Sequence, residues 1–369
     1  MSKRTVSAYV KGDTNTPDYY RIHQYLNNIN GIQVHYHMML PSRMYHRFVP
    51  IRKHNIIIVA LLYILIYIRT TFALLKDAVF PPDYLVVNRR IIPKRSFFPI
   101  WQLISKIYHN GRTRILWDFD DDILSMGECS AADFAKLSEY ATHIIVTHQH
   151  LKSLVAEQYQ EKVIILPTTD GDLFQIYHDE HINKKRKDLL KHEIILIWVA
   201  TSANLHFLQS IIPQLDDAAK TVKECLNKDL ILKVVCNAPL YHDCKHLIVE
   251  NIKWSKQAAI ENLKNSHIGI MPLTDTEIAR GKGGFKLVQY MSIGLPCIGT
   301  DVGYNNAIIN PSFGCLVPKN DTPKWTDAII RLSDPTKWES FSKEAFDNWN
   351  EKFSFKKNLS IWCNLLNAE

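Results

Sequence analysis

Residues 280–291 read Arg280-Gly281-Lys282-Gly283-Gly284-Phe285-Lys286-Leu287-Val288-Gln289-Tyr290-Met291, and the chain runs on into Gly294-Leu295-Pro296-Cys297-Ile298-Gly299. This stretch joins a glycine-rich loop bearing cations, a helix with Lys286 and Gln289 one turn apart, and a short apolar strand. Glycines let backbone N–H groups approach a ligand, the following helix turns its positive end toward it, and lysines complete an anion cradle. The pattern predicts a phosphate site where a loop becomes a helix. A plain αβ unit with solvent-facing lysines would also carry Gly-Lys-Gly-Gly, but it would not need the Gly-x-Pro and the strand in register behind it.

Working outward, short apolar runs alternate with amphipathic segments on both sides of this stretch. Strands are expected at Thr5–Val10, Ile32–Met38, Asp83–Asn88, Arg114–Asp118, His143–Thr147 and Lys162–Leu166, then at Glu193–Val199, Leu230–Val235 and Ile268–Pro272. Helices are expected between them, among them Tyr19–Ile29, Phe207–Leu226 and Lys256–Ser266. Such alternation argues for parallel sheets covered on both faces. The charged segment His178–Asp188, centred on Lys184-Lys185-Arg186-Lys187, reads as the interdomain linker.

The stretch around Lys286 resembles the donor-binding signature of retaining glycosyltransferases of family 4. The match runs through Phe285–Met291, Gly294-Leu295-Pro296-Cys297-Ile298-Gly299-Thr300, Gly303 and Gly314-Cys315-Leu316-Val317. The resemblance implies an α/β chain of the GT-B fold, two Rossmann-like domains facing a cleft: 1–185 for the acceptor, 186–345 for a nucleotide sugar, and a helical tail, 346–369, crossing back to the first domain. It implies transfer of a sugar from a nucleotide-sugar donor with retention, with no metal and no cofactor beyond the co-substrate; the basic, apolar first half suggests a glycan or lipid-linked acceptor, as in surface polysaccharide assembly. The donor residues it implies are Ser202, Arg280, Lys282, Gly283, Gly284, Phe285, Lys286 and Gln289, with Lys286 also catalytic. Where the family has two glutamates eight residues apart, this chain has Gly281 and Gln289. A degenerate GT-B scaffold protein in a glycan-assembly complex is the alternative reading.

At 369 residues with 46% hydrophobic content, the chain is long enough for two cores and is not disordered. Its charge is uneven. Residues 1–117 hold 17 Lys and Arg against four Asp and no Glu, a net +13 that leaves −6 for the rest of a +7 chain. A basic first half calls for an anionic partner. Without zinc-finger spacing, an RNP-type motif or a helix-turn-helix signature, an anionic membrane surface is favoured over nucleic acid. The run Ile56–Ile68 has no charge and is flanked by Arg43, Arg47, Arg52, Lys53 and Arg69. It is too short to span a bilayer and reads either as a buried helix or as one lying in the membrane interface. The seven cysteines show no CxxC spacing and read as reduced. Met1–Val10 carries no signal-peptide pattern, so the expected location is cytoplasmic, peripheral on the inner face of the cell membrane.

The run Asp118-Phe119-Asp120-Asp121-Asp122 falls at a strand end, where α/β folds place their crevice. Three roles compete: Asp120 or Asp121 acting on an acceptor hydroxyl, a carboxylate pair holding a metal, or capping of the next helix. The cations at 280–286 make a metal redundant. Gly12, Asp13 and Arg21, in and after the first loop, resemble the acceptor-facing loop of GT-B enzymes. His148 and His150 read as surface or cleft residues, and Arg89-Arg90 as phosphate or lipid contacts.

Overall fold

A computed structural model describes residues 3–12, 18–41, 43–44, 47 and 55–367. The chain divides into two compact units, one reaching to Thr168 and resuming at Lys356, the other Thr169–Phe355.

The first unit is built on six strands: β1 (Arg4–Val10), β2 (Ile32–Met38), β3 (Tyr84–Asn88), β4 (Arg114–Phe119), β5 (His143–Val146) and β6 (Val163–Ile165). Every pairing is parallel, in the order β2-β1-β3-β4-β5-β6. Continuous runs such as Tyr84-Leu85-Val86-Val87 and Ile144-Ile145-Val146 are buried along their length, as expected for strands covered on both faces. The order reverses between β1 and β3. Such a switch point opens a crevice beyond the strand ends, here next to Gly12, Arg89 and Asp120.

The apolar run continues as one helix, Ile56–Val79, rather than stopping at Ile68. Asn55 starts it by accepting from the N–H groups of Ile57 and Ile58. Its 24 residues make it long and apolar enough to cross a membrane, so length does not exclude spanning as the shorter reading held. On one face Leu62, Ile66, Leu74 and Ala78 belong to the core of the first unit, while the opposite face is largely exposed.

The second unit repeats the architecture with β7 (Glu193–Val199), β8 (Asp229–Cys236), β9 (Ile248–Lys253), β10 (Ile268–Met271), β11 (Cys297–Thr300) and β12 (Gly314–Val317). Its order is β12-β11-β10-β7-β8-β9, again parallel. The edge strand β9 was not foreseen, because Ile248-Val249-Glu250-Asn251-Ile252-Lys253 is polar and half exposed.

The segment read as a linker is the helix Glu180–Leu189, inside the second unit. Its run of cations hides one structural residue. Arg186 is fully buried and donates to the carbonyls of Lys264, Leu263 and Ile293, while its own carbonyl lies 2.9 Å from Nε2 of buried His267. The boundary therefore falls near Thr168 instead of at 185. The tail also divides. The helix Trp338–Lys352 packs Ala345, Phe346 and Trp349 into the second unit, and only Phe355–Leu365 belongs largely to the first. There Asn358 donates to the Tyr25 hydroxyl and the Pro167 carbonyl, and Trp362 stacks on Tyr25.

Candidate active site

In the second unit the glycine-rich loop leads from the short helix Glu277–Arg280 into the helix Phe285–Ser292. Gly284 is the turning point. Its φ is +66°, and a Cβ there would lie 2.2 Å from Cδ1 of Ile308, so no other residue fits without displacing the core. The helix has no acidic residue in its first turn, and half-buried Lys286 occupies that turn. A cation at a helix N-terminus lies against the macrodipole, an arrangement whose electrostatic complement is an anion. Lys282 is half-buried and Gly283 buried on the same loop, beside half-buried Phe285. Arg280 behaves differently from expectation: its guanidinium grips Asp275 through two hydrogen bonds of 2.7 and 2.8 Å. A phosphate at this loop would have to compete with that carboxylate for Arg280.

Gln289, one turn beyond Lys286, donates its amide to Asp170 across 3.0 Å. Sequence reading missed Asp170, because 119 residues separate the two. Asp170 is nearly inaccessible and its Oδ1 accepts from the Asp172 N–H. Burial pushes its pKa up, opposed by the Asp172 N–H and the Gln289 amide. With the amide nitrogen engaged by the carboxylate, Gln289 presents its carbonyl oxygen, an acceptor for hydroxyl protons. An amide backed by a carboxylate thereby supplies an acceptor at this position.

Donor KM is expected to rise ~10-fold in Asp170→Asn, the size of a lost charge-assisted hydrogen bond. Gln289→Glu, which sets two carboxylates face to face, is expected to lose more, and Gln289→Glu/Asp170→Asn to regain most of it. Steady-state kinetics on all three variants would show it. A double variant no better than Gln289→Glu would mean that the two side chains do not act as a unit.

Ser202, in the turn after β7, is locked to Asn237 after β8. The Ser202 N–H donates to Asn237 Oδ1 at 2.7 Å and the Asn237 amide donates to Ser202 Oγ at 3.0 Å. The seryl O–H is thereby oriented to donate elsewhere.

In the first unit the acidic run is split among tasks. Asp118 is fully buried, accepts from Arg21 Nε at 3.1 Å and from Asn88 at 2.9 Å, and holds Arg21 as an internal ion pair. Arg21 also donates to Leu166 O, so it is a core tie within the unit and does not face an acceptor. Gly12 likewise spends its backbone locally: its N–H donates to Asp18, and its carbonyl lies 3.0 Å from Nε2 of His23. Asp13 lies outside the described residues. Asp122 accepts from the N–H groups of Leu124 and Ser125 and so caps the turn after it rather than a helix.

Asp120 and Asp121 remain, and Arg89 stands between them. Its Nη2 donates to Asp121 at 2.9 Å, and its Nε is 3.5 Å from Asp120 and 3.6 Å from Glu128, which also pairs with Arg90. The two arginines are thus part of a carboxylate cluster and do not reach out as phosphate contacts. Burial works against the Arg89 charge, yet Asp120, Asp121, Asp18 and Asp118 together outweigh it and raise its pKa. Burial pushes Asp120 up to about 6, opposed by Arg89 and reinforced by Asp121. Asp120 and Asp121 keep 13% and 19% of their side chains exposed at the switch-point end of the sheet. Of the two histidines read as surface or cleft residues, His148 is buried and His150 is exposed.

Residues 198–334 match the family described as glycosyl transferases group 1. Among curated proteins none matches the chain. The fold is that of solved GT-B glycosyltransferases. Sucrose-phosphate synthase from Thermosynechococcus elongatus aligns with a TM-score of 0.62 at 12% identity, covering 99% of this chain and 98% of that one. Anabaena HepE in complex with UDP aligns at 0.64 and 10% identity, covering 99% of each chain. The α,α-trehalose 6-phosphate synthase from Burkholderia multivorans aligns at 0.60 and 9% identity, over 100% of this chain and 97% of that one.

Proposed function

We propose that this chain, whose residues 198–334 match glycosyl transferases group 1 and whose fold is that of GT-B enzymes, is a glycosyltransferase that moves a sugar with retention from a nucleotide-sugar donor to a glycan or lipid-linked acceptor in surface polysaccharide synthesis. The observation that carries the reading is Lys286, a half-buried cation on the acid-free first turn of the helix that Gly284 opens. Lys286 and Lys282 hold the diphosphate, the N–H groups of Gly283 and Gly284 and the Ser202 hydroxyl add hydrogen bonds, and Gln289, backed by Asp170, holds the ribose. The lysines supply the positive charge that a metal would otherwise bring to the leaving nucleotide, so the reaction proceeds without one. HepE structures hold UDP or UDP-glucose, which supports a uridine nucleotide as the first donor to try.

The first unit takes the acceptor, and Asp120 orients or deprotonates its hydroxyl. The basic first 117 residues support a site of action at the inner face of the cell membrane, where the acceptor is lipid-linked. A thermal-shift panel of UDP-, GDP- and ADP-sugars tests the donor reading. Binding stabilises by mass action, about 2.7 kcal/mol at a hundredfold excess over Kd, so the true donor is expected to raise the melting temperature by a few degrees. A flat response across the panel would remove the donor assignment.

A further inference from the structure

The helix Ile56–Val79 shows two opposite faces. Toward the sheet, Leu62, Ile66, Thr70, Leu74, Asp77 and Ala78 are buried, and Asp77 accepts from the hydroxyls of Ser7 and Tyr9 on β1 at 2.9 and 2.7 Å. Away from it, Ile57, Leu61, Ile64, Ile68, Phe72, Leu75 and Val79, at spacings of three and four, are 47–67% exposed. Crossing a bilayer would strip Asp77 of its two hydroxyl partners and the sheet of its cover. The helix therefore stays packed and its outer stripe needs another neighbour.

That stripe does not stand alone. The Tyr63 and Tyr67 hydroxyls donate to the carbonyls of Arg95 and Phe98, each at 2.8 Å, and tie a second segment along the helix. This segment adds Phe97 and Phe98, both largely exposed. Contiguous apolar surface of this extent marks an interaction face. Its charge says with what. Exposed Arg69 and Lys76, seven residues apart, border the stripe, and the helix's one acid, Asp77, is buried. Arg69 also lines a cavity of about 290 Å³ with His37, Tyr36, Thr70 and Phe72. The proton affinity of His37 is lowered by burial first, with Lys76, His35 and Arg69 adding to it against Asp77, so several bases gather at this spot.

We propose that this face docks on an anionic lipid bilayer: the apolar stripe with Phe97 and Phe98 enters the acyl boundary, and Arg69 and Lys76 meet lipid phosphates, with the His37 cavity open to a headgroup. A second copy is the rival occupant, but an isologous pairing would bring the cations Arg69 and Lys76 of one copy close to those of the other, with no exposed acid on either helix to pair them. An anionic interface complements both the apolar and the cationic parts. The inference rests on the membrane-side reading of the enzyme and assigns it to particular residues.

Flotation with vesicles of phosphatidylcholine alone or mixed with phosphatidylglycerol tests it. Wild type is expected to float with the mixed vesicles and to be released as salt rises. Phe72→Ser/Phe98→Ser and Arg69→Glu/Lys76→Glu are each expected to bind at least ~10-fold more weakly, with the nucleotide-sugar thermal shift unchanged to show that the fold is intact. Wild type that never floats defeats the membrane reading as a whole. Wild type that floats while both variants float equally well overturns the docking face alone. A concentration-dependent dimer in sedimentation that Phe72→Ser/Phe98→Ser dissolves would assign the face to a second copy and overturn the proposal.

Discussion

Lys286→Ala is expected to lower turnover by ~10²-fold or more, the loss seen when a group stabilising a developing anion is removed. The half-buried side chain sits on the first turn of the helix Phe285–Ser292, where the dipole disfavours a cation and no carboxylate in that turn compensates it. A diphosphate donor brings two negative charges when it binds, and a further one develops on the leaving nucleotide as the glycosidic bond breaks, which is the charge a lysine at this position would stabilise in the transition state. The loss should therefore fall on kcat more than on donor KM. Lys286→Arg keeps the charge but spreads it over a planar fork, and part of the activity should survive. Steady-state kinetics with the donor found by thermal shift gives the answer, and melting curves report on the fold. Turnover near wild type in a well-folded Lys286→Ala protein would leave the anion cradle without its central member.

What the sequence disclosed, and what it withheld, follows one physical line. Runs such as Ile194–Val199 and Tyr84–Asn88 are apolar because both faces of a parallel sheet are covered, and they stand out without any knowledge of neighbours. The loop at 281–284 is legible for the same kind of reason, since Gly284 answers to a local backbone demand. Distance along the chain hid the rest. The pairs Gln289–Asp170 and Arg21–Asp118 span 119 and 97 residues, so neither the support behind the Gln289 amide nor the burial of Arg21 could be read locally. Arg186 shows the error that composition invites. Among Lys184, Lys185 and Lys187 it looks like one more solvated charge, yet it ends three carbonyl chains in the core of the second unit. The Ile56–Val79 helix was misjudged in length because Arg69 breaks the uncharged run, although a single charge on the border of an apolar stripe does not end a helix.

Asp120→Asn is expected to cost roughly 10²-fold in turnover and to remove the acid limb of the pH profile, which in the wild type should fall through about pH 6. Burial raises the Asp120 pKa, Arg89 holds it down in part, and Asp121 pushes it up again. A folded value of about 6 against an ordinary 3.8 means that the folded protein binds this proton more tightly than the unfolded chain. Stability from this group is therefore present at low pH and declines as pH climbs from about 4 to about 6. Activity should run the opposite way, because only the ionised carboxylate can accept or orient an acceptor hydroxyl. The enzyme would then gain rate over the interval in which Asp120 loses stabilising protonation, the pattern of a carboxylate kept buried for its chemistry. Asp121→Asn separates chemistry from scaffolding. It removes the 2.9 Å contact to Arg89 but leaves Asp120 in place, so it should keep an acid limb while weakening the cluster. Initial rates between pH 5 and 8, with melting curves over the same range, distinguish the two. An Asp120→Asn enzyme with full turnover and the same acid limb would place the titrating group, and the acceptor chemistry, elsewhere in the first unit.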